Sequence, residues 1–161
     1  MFGKPVSLFS VFGFEIKVDM SWLILAALIT WSLASGLFPE YYKDLPKSAY
    51  WWMGIAGAIG LFLSIIVHEL THSIVARHYG VSMKEITLFI FGGVAHMEED
   101  PSSPKAEFMI AVVGPVSSFL LAASAFLLYK VGAYSGWPVT LTGVLNYLSW
   151  LNMILAVFNL I

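Results

Sequence analysis

Four long apolar runs carry no charge at all: residues 20–38, 50–67, 108–129 and 131–161. A helix needs about 20 mostly apolar residues to cross the hydrocarbon core of a bilayer. Each run meets or approaches that length, and the second continues through a polar motif toward residue 78. The fourth includes Pro138, which suits the opening of a helix, so its helical part is expected from about residue 139. The chain is 59% hydrophobic and 11% charged, whereas soluble domains are about half apolar and a quarter charged. The expected fold is an all-α polytopic membrane protein, one membrane-embedded domain over residues 1–161. Its spans are expected near 20–38, 50–78, 108–129 and 139–161.

The connections between the runs differ in character. "PEYYKDLPKSA", 39–49, is a polar loop whose two tyrosines suit a membrane interface. "KVGAYSGWP", 130–138, is a short turn. Between the second and third runs, Glu85 to Val94 is rich in Ile, Thr and Phe and holds a Gly-Gly pair, which favours strand over helix. The N-terminal "SLFSVFGFEIKV" also has strand composition, with Gly13 as a turn or bulge. A small β element is therefore expected between the second and third helices, and another at the N-terminus. No long apolar stretch precedes a small-residue cleavage site, so no secretory signal peptide is expected.

Net charge is -2, and no run of Lys and Arg suggests nucleic-acid binding. The absence of cysteine excludes disulfides and thiolate metal ligands. Lys4, Lys17, Arg77, Lys84 and Lys105 fall on one side of the expected spans, and Lys43, Lys47 and Lys130 on the other. That bias places the N-terminus and the 77–105 connection in the cytoplasm.

The second run ends in "SIIVHELTHSIVARHYG", 64–80. His68-Glu69-Leu70-Thr71-His72 is an H-E-x-x-H motif. On a helix, positions i and i+4 share a face. His68 and His72 can then offer imidazole nitrogens to one ion, with Glu69 beside them as general base. Zinc is the expected ion, because catalytic zinc takes a few N or O ligands and activates a water at neutral pH. An ionisable residue inside a membrane span costs about 2.5–3.5 kcal/mol on insertion scales, which marks it as functional. The other histidines rank lower. His78 reads as interfacial and His96 as a solvated loop residue. Glu98-Glu99-Asp100 reads as a solvated turn.

The chain resembles the site-2 protease family of intramembrane zinc metalloproteases. "HELTHS" resembles its catalytic helix, and "FIFGGVAHME", 89–98, the Gly-Gly edge strand that follows. "VVGPVSS", 112–118, resembles the Gly-Pro start of its next helix, and "LNMILAVFNLI", 151–161, the approach to its second metal-binding motif. The resemblance implies one Zn2+ ion, a transmembrane protein substrate and an active site toward the cytoplasm. It also implies that Asn159 faces the site and holds substrate or oxyanion. In the family, the phrase ending "FNLI" leads to a proline and an Asp-Gly pair whose Asp is the third protein ligand. By that spacing the aspartate falls beyond Ile161, and no acid follows Glu107. The chain is therefore expected to be a catalytically incomplete fragment. The alternative is an inactive homologue that binds membrane helices or metal.

A peptide bond in a membrane helix is a poor substrate, since its amides are already paired and lipid offers no replacement. The 85–94 strand offers an edge to which an unwound substrate can add. Gly92 and Gly93 allow close backbone approach and are the expected substrate-binding positions. Gly114-Pro115 is expected to kink or break the third helix. A transporter would want charges on several spans and paired broken helices, whereas here one run carries them.

Overall fold

The computed structural model describes residues 5–81, 83–89, 92–97 and 103–160. Elements run in the order β1 (Val6–Val11), β2 (Phe14–Val18), α1 (Met20–Ser32), a π-helical segment (Leu33–Leu37), α2 (Phe38–Tyr41), α3 (Lys47–His78), β3 (Met83–Phe89), β4 (Gly92–Met97), α4 (Pro104–Tyr134) and α5 (Val139–Phe158). Four helical stretches are long and apolar enough to cross a membrane: Met20–Tyr41, Lys47–His78, Pro104–Tyr134 and Val139–Phe158.

The first stretch opens on Asp19, whose carboxylate accepts the Ser21 N–H at 2.9 Å and caps α1. It passes through the π-helical segment just before Pro39. Proline has no N–H for the carbonyl four residues earlier, and here Phe38 N–H reaches back to Leu33 O. α3 has 32 residues, about 48 Å of helix at 1.5 Å per residue. That exceeds a hydrocarbon core of about 30 Å. His68 stands 21 positions after Lys47, about two thirds of the way along α3.

α4 begins at Ser103, whose hydroxyl accepts Ala106 N–H, and at Pro104, where the missing N–H costs nothing. It runs unbroken past Pro115, which lies inside the helix. The expected break there does not form, because the helix continues on both sides and packs against α3 and α5. The second span begins earlier than its apolar run, at Lys47. Pro46 stands at its cap and Ala49 N–H is taken by Pro46 O.

The sheet has four strands in the order β1-β2-β3-β4. β1 and β2 form an antiparallel hairpin whose turn places Gly13 at φ +84°, in the left-handed region that glycine tolerates. β2 pairs in parallel with β3, Ile16 opposite Ile86 and Val18 opposite Leu88. Parallel pairing needs a long crossover, and the first two membrane spans supply it. β3 and β4 are antiparallel, with Leu88 opposite Gly93 and Phe89 opposite Gly92. The single strand expected over 85–94 is thus a hairpin. A Gly-Gly pair costs strand propensity in mid-strand but fits where a new strand starts. His96 lies in β4 rather than in a loop. Glu98, Glu99 and Asp100 lie outside the described residues.

β2 alternates buried and half-exposed residues, as a strand with one packed face must. Phe14, Ile16 and Val18 turn inward to join Trp22 of α1, Ile66 and Ala76 of α3, Ile86 and Leu88 of β3 and Ile110 of α4 in one core. The outward Lys17 pairs with Glu15 at 3.2 Å and with Glu85 across the sheet. Arg77, at the end of α3, donates to Phe12 O at 2.7 Å and lies 4.4 Å over the Phe14 ring. The sheet is therefore fastened to the end of α3 that carries the polar motif.

Candidate metal centre

α3 enters the motif with Ser64, one turn before His68. Buried Asn152 of α5 donates to Ser64 Oγ at 2.9 Å and to its own helix at Leu148 O. This bond keys α5 to the turn of α3 that precedes the histidines. His68 is 2% exposed and Ser118 of α4 is fully buried. His68 Nδ1 lies 2.9 Å from Ser118 Oγ. His72 Nδ1 lies 2.6 Å from the backbone carbonyl of Ile110, also on α4. A carbonyl only accepts, so His72 carries its proton on Nδ1 and turns a bare Nε2 the other way.

The two Nε2 atoms meet at 3.1 Å. Nitrogens each about 2.05 Å from one tetrahedral zinc would stand about 3.3 Å apart. The rings are thus already spread to share a cation. Gly114 lets both rings come close to α4. A Cβ built there would stand 2.0 Å from His72 Nε2 and 2.7 Å from His68 Nε2, so any side chain at 114 would push the two ring nitrogens out of place. The donor set, two converging imidazoles with their outer nitrogens anchored, fits zinc.

The wall facing the histidines comes from one short stretch of α4. Ile110, Gly114 and Ser118 fall at steps of four and share a helix face. Ser117 Oγ donates to Gly114 O at 2.7 Å and lies 3.1 Å from Thr71 Oγ1, which in turn bonds His68 O at 2.7 Å. Glu69 is half-buried beside His68. Its backbone carbonyl accepts Ser73 Oγ at 2.9 Å, and its carboxylate has no hydrogen-bond partner among the described residues.

The structure brings His68, His72 and Gly114 together. Gly92 and Gly93 open β4, which lies at one edge of the sheet and touches α3. Asn159 caps the end of α5 and donates to Leu155 O of its own helix at 2.8 Å. Among the described residues no group of three or more His, Cys, Asp or Glu side chains comes together to hold a metal. Sequence reasoning gave Gly114 only a shaping role and passed over Ser118 and the Ile110 carbonyl.

The sequence profile of peptidase family M50 matches residues 56–140, which include the motif, the β3–β4 hairpin and the Gly114 face. The chain belongs to peptidase family M50, the site-2 protease family. It is 38% identical to Rip3 of Mycobacterium tuberculosis, over 92% of this chain and 38% of that protein. It is 32% identical to zinc metalloprotease MJ0392 of Methanocaldococcus jannaschii, over 97% of this chain and 41% of that one. The site-2 protease from the same archaeon superposes with a TM-score of 0.66 at 30% identity, covering 98% of this chain and 65% of that structure. The chain thus spans about two fifths of the length of these curated relatives. With four apolar spans and this family, it is an integral, multi-pass membrane protein.

Proposed function

We propose that this chain is the metal-binding core of an intramembrane zinc protease that hydrolyses peptide bonds in or near the transmembrane helices of membrane-protein substrates, as in regulated intramembrane proteolysis. The observation that carries the proposal is the convergence of His68 and His72 Nε2, 3.1 Å apart, against Gly114. His68 and His72 hold one zinc ion. When bound, it supplies a Lewis acid that activates water at neutral pH.

The rest of the chemistry falls to the chain. Glu69 takes the proton of the attacking water on its carboxylate and delivers it to the leaving amine nitrogen. Its half-buried position next to His68 on α3 supports that role. The β4 edge pairs with the backbone of an unwound substrate, and Gly92 and Gly93 let that backbone come close. Pairing replaces the helical hydrogen bonds that the substrate gives up, which lipid cannot do. Asn159, at the end of α5, binds substrate or the developing oxyanion. The excess of Lys and Arg in the N-terminal segment and the 77–105 connection supports a site toward the cytoplasm, open to water.

The test is cleavage of a single-span reporter by this core carried in a polypeptide of its relatives' length. Wild type cuts, and Glu69→Gln leaves the reporter intact while zinc content is unchanged. Retained cleavage removes Glu69 as the base. Zinc retention with no cleavage by wild type favours the alternative of a metal-binding homologue that does not hydrolyse.

A further inference from the structure

We propose that Ser118 is the positioning residue for His68: its hydroxyl oxygen accepts the Nδ1–H and so commits Nε2, as a lone pair, to the shared cation. The inference rests on the zinc reading of the two histidines. If both Nε2 atoms face one cation, both Nδ1 atoms must carry the protons. The proton of His72 has a fixed acceptor in Ile110 O, a backbone group that holds its place as long as α4 does. At His68 Nδ1 the side-chain partner among the described residues is Ser118 Oγ, at 2.9 Å, and the ring also meets the Gly114 backbone.

The asymmetry matters. A carbonyl can only accept, so it settles the tautomer of His72 unaided. A hydroxyl can donate or accept, so the part of the His68 anchoring that Ser118 supplies depends on one rotatable side chain. Ser118 is fully buried and His68 nearly so. A ring without this bond is free to turn or to carry its proton on the metal side. Partners of this kind fix the ring and tautomer of ligating histidines. Ser117, its neighbour, serves a different end: it bonds Gly114 O and Thr71 and touches neither imidazole.

The experiment is zinc titration of the whole chain in detergent, with a competing chelator, on wild type, Ser118→Ala, Ser117→Ala and the isosteric pair Ser118→Thr and Ser118→Val. Ser118→Ala is expected to weaken zinc by about 10–100-fold, the usual cost of losing such a partner. Ser118→Thr, which keeps the hydroxyl, retains most of the affinity, and Ser118→Val, of the same shape, does not. Ser117→Ala binds as wild type. Nitrogen NMR of histidine-labelled, zinc-loaded protein shows His68 protonated on Nδ1 in wild type, and that signature is lost in Ser118→Ala. Equal affinity for Thr and Val, or an equal fall in Ser117→Ala, makes the effect one of packing and overturns the proposal. His72→Ala separates the two readings. If it binds zinc like wild type, the zinc assignment itself is wrong. If it loses zinc while Ser118→Ala does not, only the role of Ser118 falls.

Discussion

Gly114→Ala is the most demanding substitution in this molecule. The added methyl would stand 2.0 Å from His72 Nε2, 2.6 Å from its Cε1 and 2.7 Å from His68 Nε2, where real contacts do not fall below 3.0 Å. Something must move by at least 1.0 Å, the difference between 3.0 and 2.0. Neither neighbour is free to give way. His72 is held from behind by Ile110 O at 2.6 Å, and Ile110 sits on α4 one turn before Gly114. If α4 backs away, it takes that carbonyl with it. If the ring turns instead, Nε2 leaves the shared point. Overpacking of this kind costs about 1–3 kcal/mol of stability, which a bundle with the α3–α4–α5 contacts seen here should withstand. The effect on metal binding would be larger, because the methyl displaces the Nε2 atoms of both histidines at once. The expected loss of zinc affinity is at least about 100-fold, beyond what losing an orienting partner alone produces. The assay is zinc per protein after dialysis, with thermal unfolding in the same detergent. Gly36→Ala is the control, since no atom lies within 4 Å of a Cβ there. A folded Gly114→Ala that keeps wild-type zinc would refute the reasoning.

Two further outcomes follow from the same geometry. Asn152 and Ser64 form an interhelical bond, and such bonds in membranes couple by about 0.6 kcal/mol on average; a double-mutant cycle read by unfolding in mixed micelles should return that order, and zero coupling would show that the bond is not formed. Ser7 and Lys17 hold the Glu15 carboxyl below its ordinary 4.5, while Glu85 and Glu15 hold the Lys17 ammonium above its ordinary 10.5. The depressed carboxyl stabilises the sheet above pH 4.5 and loses that contribution as pH falls through its folded value; the raised ammonium contributes below pH 10.5 and loses it as pH rises through its own. Amide protection in β2, corrected for intrinsic exchange, should fall at both ends, and protection unchanged well below pH 4.5 would contradict the pairing.

The spans were legible because lipid demands length and apolarity, and nothing else in the chain mimics that signal. The motif was legible because two histidines four apart on a helix share a face whatever surrounds them. Their surroundings were not legible. Residues 110, 114 and 118 reach the site only because α4 packs against α3, a contact between residues about 40 apart in sequence. Nothing local marks Ser118 as different from Ser117, and only the rotation of α4 decides which one meets a histidine. The β3–β4 hairpin was hidden for another reason. Continuous β composition across 85–94 gives no break by periodicity alone, and the sheet is completed by a strand from the far N-terminus. At Gly114-Pro115 no break forms, since α4 runs continuously through the proline from Pro104 to Tyr134.

The central claim is that His68 and His72 jointly hold one zinc in the space beside Gly114. Zinc-edge X-ray absorption on the loaded chain tests it most directly. The account predicts two imidazole nitrogens at about 2.0–2.1 Å, with the imidazole scattering lost in the His68→Ala, His72→Ala double variant. Imidazole scattering that survives in the double variant, or its absence from wild type, would contradict the account.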